Sequence, residues 1–105
     1  MKTWNIEAIT GYKPITTFYM DFEIADHFGA AAIKDTFRRA FRSWKSDYKY
    51  LTELCMVLNA KIWEHYDGRN MYYAEIYNEI WNKACEYAEN NLTGEAKRYY
   101  YEATD

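Results

Sequence analysis

From residue 16 onward the apolar positions of this chain recur at helical spacing. After the turn-like Gly11–Tyr12–Lys13–Pro14, Thr16 or Thr17 can cap a first helix. In it Phe18, Phe22, Ala25 and Phe28 step by 4, 3 and 3 along one face. Gly29 is a natural stop. A second helix is predicted from about Ala30 to Trp44. Ile33, Phe37, Phe41, Trp44 and Tyr48 step by 4, 4, 3 and 4 and give it an amphipathic stripe. Ser46 and Asp47 are capping residues, so Lys45–Ser46–Asp47 reads as a corner.

The third predicted helix runs from about Tyr48 to Tyr66. Its apolar residues (Leu51, Leu54, Cys55, Met56, Val57, Leu58, Ala60, Ile62, Trp63 and Tyr66) cover most of its circumference, the pattern of a helix enclosed by others. Asp67–Gly68 ends it, and Asn70 can cap a fourth helix from about Met71 to Asn90. Tyr73, Ile76, Tyr77, Ile80, Trp81, Ala84, Tyr87 and Ala88 form the inner face of that helix. Thr93 can cap a short fifth helix that runs toward Glu102. Residues 1–15 are expected to be extended: Trp4, Ile6 and Ala8 alternate like a strand, but a single strand needs a partner.

These elements predict an all-α fold: one domain over residues 1–105, a bundle of four to five helices with residues 48–66 at its centre. Orthogonal packing is expected, because the first and last helices are short. A length of 105 residues is that of one ordinary domain. Four Gly and one Pro exclude a loop-dominated chain.

Charge adds one local feature. The net charge of −3 gives no overall attraction for nucleic acid. Residues 1–33 sum to −2, residues 34–49 to +4 and residues 50–105 to −5, so one basic segment lies inside an acidic chain. No run approaches the roughly 18 apolar residues of a membrane helix. The first residues carry no apolar signal core. A cytoplasmic location is therefore expected. Cys55 and Cys85 read as buried thiols rather than a disulfide framework.

Candidate chemistry is sparse. His27 and His65 stand on different predicted helices without metal-site spacing, and Glu64–His65 lacks the second His of a zinc-protease helix. No Gly-rich phosphate loop or Gly-flanked Ser is present. No catalytic residue, metal or cofactor is expected.

Lys34, Arg38, Arg42, Lys45 and Lys49 step by 4, 4, 3 and 4, one residue out of phase with the second helix's aromatic stripe. Such a row can grip phosphates or an acidic protein. It can equally be a solvated face, or pair with Glu75, Glu79, Glu86 and Glu89 of the fourth helix. Twelve Tyr are the second feature. In Tyr72–Tyr73 and Tyr99–Tyr100–Tyr101 the adjacent rings point about 100° apart on a helix, so some face outward; Tyr72, Tyr99 and Tyr100 are candidates for a binding patch. Asn59, mid-way along the apolar third helix, needs a hydrogen-bond partner if buried.

Thr16–Thr17–Phe18, Asp21–Phe22, Ile24–Ala25–Asp26, Phe28–Gly29, Ala32–Ile33–Lys34–Asp35–Thr36–Phe37, Trp44–Lys45, Tyr50–Leu51–Thr52–Glu53–Leu54, Met56–Val57–Leu58–Asn59 and Lys61–Ile62–Trp63 carry a resemblance across residues 16–105. The string resembles a group of short helical proteins from phage and conjugative elements of Gram-positive bacteria. That resemblance implies a mobile-element accessory protein and brings no catalytic residue with it. The function expected is a non-enzymatic interaction module that binds a protein or itself. The alternative is a small nucleic-acid-binding regulator that uses the basic face.

Overall fold

In a computed structural model, residues 16–104 are described, and the segment expected to be extended, residues 1–15, lies outside them. The described residues form five helices and no strand: α1 (Thr16–Phe28), α2 (Ala30–Trp44), α3 (Tyr48–Asp67), α4 (Met71–Asn91) and α5 (Gly94–Thr104). The all-α bundle predicted from hydrophobic spacing is therefore the fold.

Local chemistry sets the joints. Gly29 has φ 108° and ψ −175°, a backbone region that an L side chain enters only with strain, and it turns α1 into α2 within one residue. The Asp47 carboxylate accepts from the Lys49 and Tyr50 amides at 3.1 and 3.3 Å and starts α3. Asn70 does the same for α4, through the Tyr73 amide at 3.1 Å. Between them the end of α3 is closed by the Asn70 amide on the His65 carbonyl at 2.8 Å. The left-handed residue of this closure is Arg69, with φ 60°, and not the neighbouring Gly68.

α3 touches each of the other four helices and packs most broadly on α4. Every residue from Leu51 to Leu58 is buried, and so is Ile62. α4 contributes Ala74, Ile76, Tyr77, Ile80, Ala84 and Ala88 to the same core, and α1 contributes Phe18, Phe22 and Ala25. Aromatic edges close it: Phe22 meets Tyr77, and Phe41 meets Tyr87.

Four expectations need correction. Phe28 belongs to the outside, 77% exposed, because α1 ends there and Gly29 turns the chain away. Trp44 is exposed at the end of its stripe. Trp63 and Tyr66 are also exposed, because the last turns of α3 emerge from the bundle. Besides these four, the same helix buries Lys61 fully, a charge for which hydrophobic spacing predicts nothing.

Gly29→Ala is expected to destabilise the protein by about 1–3 kcal/mol through backbone strain alone, since a methyl there would meet nothing closer than the Tyr73 hydroxyl at 3.8 Å. Arg69→Gly is expected to stabilise by roughly 0.5–1 kcal/mol. Urea denaturation of both variants checks the pair of signs.

Candidate functional site

The predicted basic stripe does not form one continuous row of free cations. Lys34, Arg38 and Arg42 are exposed on α2, with Arg38 3.5 Å from Asp35 of its own helix. Lys45 leans inward, its ammonium 5.7 Å from the Phe41 ring centre and 5.6 Å from that of Tyr87. Lys49 lies over Tyr99 at 5.9 Å. The carboxylates of α4 look to their own helix where they pair, as Glu79 does with Lys83 at 3.9 Å. Outward electrostatics therefore rest on three of the five cations.

The tyrosines divide. Tyr72 is 65% exposed beside Met71, at the corner where Trp63 and Tyr66 also emerge. Tyr99 is half-buried against Tyr48. Tyr100, expected on the surface, is only 4% exposed and fills the seam between α5 and the core. It belongs with a small cavity of about 100 Å³ that Cys55, Asn59 and Cys85 also line. There the buried Cys55 thiol donates toward Cys85, and this bond together with burial raises its pKa well above the ordinary value. The same bond, joined by one from Tyr100, lowers that of Cys85 against the opposing effect of burial. Both cysteines are free thiols, as the sequence led us to expect.

Two features escaped the sequence reading. The first surrounds Lys61. Its stem lies in the core, and its ammonium reaches Asp26 at 2.6 Å, Glu23 at 2.9 Å and Glu64 at 2.9 Å, so each of its three protons has a carboxylate. Tyr77 donates to the other Asp26 oxygen at 2.5 Å, and Tyr19 donates to Glu64 at 2.9 Å. His65 Nε2 lies 3.0 Å from Asp26; a carboxylate only accepts, so this nitrogen carries a proton. The His65 ring is stacked on Tyr77 at 5.3 Å.

Burial opposes the charge on Lys61, but the hydrogen bonds it donates to Asp26, Glu23 and Glu64 outweigh it, and the pKa rises. Burial likewise pushes Glu23 up, but Lys61 overrides it and holds Glu23 below the usual carboxylate value. Tyr77 and Tyr19 are raised by burial and then by their carboxylate partners. Each half of the cluster was legible as a group at helical spacing on one helix: the pair Glu23 and Asp26, and the trio Lys61, Glu64 and His65. That the halves meet is a tertiary fact. No cluster of His, Cys, Asp and Glu among the described residues is arranged to hold a metal ion.

The second feature is apolar. Met20, Ile24 and Phe28 are 60%, 55% and 77% exposed and form a ridge along the outer side of α1. Ile24 and Phe28 also line a groove of about 440 Å³ between α1 and α2, floored by Ala25, Ala32 and Ala40 and edged by Asp21, Asp35 and Arg39. The steps of 4 and 4 were visible in the sequence, but α1 has a second apolar face at similar spacing, and only that one was read.

Comparison with protein-family models, with curated proteins and with solved structures finds no match. No described helix is long and apolar enough to cross a membrane. The geometry therefore carries the functional argument.

Lys61→Met is expected to cost about 3–5 kcal/mol, because Asp26 would keep a desolvated charge without its counter-ion. Lys61 has a folded pKa above its unfolded value of about 10.4, so its contribution is complete below that pH and lost as pH rises through the folded value. Glu23 has a folded pKa below its unfolded value of about 4.3, so its contribution is complete above that pH and lost as pH falls through the folded value. Urea midpoints measured against pH should hold a plateau between these limits. Glu23→Gln should flatten the acid limb.

Proposed function

We propose that this chain is a non-enzymatic protein-interaction module whose contact surface is the α1 ridge and the α1–α2 groove. The observation that carries this reading is the ridge itself. Three large apolar side chains stand in solvent on one helix while a core sits beneath them, and contiguous exposed apolar surface marks interaction sites. Exposed Trp63, Tyr66 and Tyr72 at the α3–α4 corner offer a second, smaller aromatic surface.

Two observations support a role without chemistry. The Lys61 amine is saturated by three carboxylates and has its pKa raised, the reverse of what an amine nucleophile needs. Cys55, Cys85 and Asn59 share a small cavity with Tyr100, separate from the groups around Lys61. The resemblance to mobile-element proteins supports an accessory role in such an element, and the free thiols support a reducing, cytoplasmic setting. The alternative, a nucleic-acid regulator, is favoured by the outward trio Lys34, Arg38 and Arg42. That trio is short, and one member sits beside Asp35.

Affinity capture of the tagged full chain from its host's lysate tests this reading. A nuclease-resistant partner or second copy is expected, lost with Phe28→Asp and retained with Arg38→Ala. Association that nuclease abolishes, or that falls steeply with salt and with Arg42→Ala, would establish the nucleic-acid alternative instead. A bait recovered alone and monomeric would remove the interaction reading.

A further inference from the structure

We infer that Cys85 is a peroxide-reactive thiol with Cys55 as its resolving partner, so that a hydroperoxide joins the pair in a reversible disulfide between α3 and α4. This goes beyond the interaction-module reading. It is a modification of the chain, one bond per molecule, and asks for no turnover.

Access separates the two thiols. Cys55 is fully buried, whereas Cys85 is half-buried. Cys85 shares the inner cavity of about 100 Å³ with Cys55 and Tyr100. It also lines an outer groove of about 440 Å³ with Asn82, Glu86, Glu89 and Asn90. Cys85 is thus the thiol that a small solute meets first, and Cys55 stands behind it.

Packing brings the partner close. α3 packs more broadly on α4 than on any other helix. Ala84 and Ala88, before and after Cys85 in the sequence, are fully buried and carry only a methyl, so the two backbones close up around the thiols. Across this contact the Cys55 thiol donates toward Cys85. Thiols that already face each other are what a disulfide requires.

Electrostatics set the order of reaction. Donation from Cys55 and from Tyr100 favours the Cys85 thiolate against burial and Glu89, and its pKa falls. The thiolate is the nucleophile. Cys55 is raised by the same contact and by burial, so it reacts second. The outer groove presents Glu86 and Glu89 and, among the described residues, no cation. Such a rim admits a neutral hydroperoxide and repels an anionic thiol such as glutathione, which leaves Cys55 to close the bond.

In the first step the Cys85 sulfur attacks one peroxide oxygen. The O–O bond breaks, the sulfur loses two electrons, and the leaving oxygen takes the thiol proton as water or an alcohol. Cys85 is then a sulfenic acid. In the second step the Cys55 sulfur attacks that of Cys85, the S–O bond breaks, and the hydroxide leaves as water with the Cys55 proton. A dithiol reductant returns both thiols by exchange.

Hydrogen peroxide added to the reduced full chain tests the inference, read by intact mass and by peptide mapping without reductant. The mass is expected to fall by two hydrogens, in a peptide pair joining Cys55 to Cys85, before the exposed Met20 and Met71 become sulfoxides. Loss of the Cys85 thiol should be several-fold faster than that of free cysteine at neutral pH. Dithiothreitol should restore the mass. With dimedone present, Cys55→Ala should carry the label on Cys85, and Cys85→Ala should carry none on Cys55. Thiols still free when Met20 and Met71 are oxidised, or no faster than free cysteine, overturn the inference, and both results need only the parent chain. So does a disulfide between two chains, or a Cys85–glutathione adduct as the end product when glutathione is present. The α1 contact surface stands or falls apart from these results.

Discussion

The ammonium of Lys61 decides how α1 lies on the bundle. α1 has two apolar faces of similar content: Phe18, Phe22 and Ala25 on one, Met20, Ile24 and Phe28 on the other. Burying a large apolar side chain yields about 1.5–3 kcal/mol whichever face supplies it, so hydrophobic burial barely distinguishes the two orientations. The acids do. Glu23 and Asp26 flank the inward face and reach Lys61 at 2.9 and 2.6 Å. Turning α1 to bury the ridge means a rotation of roughly 130°. That would carry both acids away and leave Lys61 buried with only Glu64 of its own helix, a loss of several kcal/mol.

One polar contact thus connects core to surface. The cost of burying Lys61 is offset only when α1 presents Glu23 and Asp26 to it, and that orientation forces Ile24 and Phe28 outward. Tyr77 and His65 reinforce the choice by holding Asp26 from the α4 and α3 sides. The exposed ridge is then a consequence of how the interior is neutralised, and a surface with this origin is free to serve recognition.

Hydrophobic spacing and capping chemistry made the helices legible, because both act within a few residues. Asp47 and Asn70 cap where their side-chain chemistry indicated. The enclosure of residues 51–58 follows from the apolar residues at six of these eight positions, and Thr52 and Glu53 are buried with them. Side choice was harder to read. Phe28 has the right spacing for the core but stands at a helix end, and Tyr100 looks like the half-buried Tyr99 and the exposed Tyr101 beside it yet fills a seam. Lys61 reads as a solvated charge until two acids from a helix 38 and 35 positions earlier are brought to it. The candidate cations were legible as a row, but the rings that draw Lys45 and Lys49 inward come from α2, α4 and α5, and only the fold supplies those from α4 and α5.

Amide hydrogen exchange in the Lys61→Met protein measures the orienting role of this ammonium most directly. The account predicts that the amides of α1 lose nearly all protection while those of α3 and α4 fall only by the loss of global stability and stay protected, since α1 is released and the packed pair beneath it remains. Protection of α1 equal to that of the parent protein would contradict it.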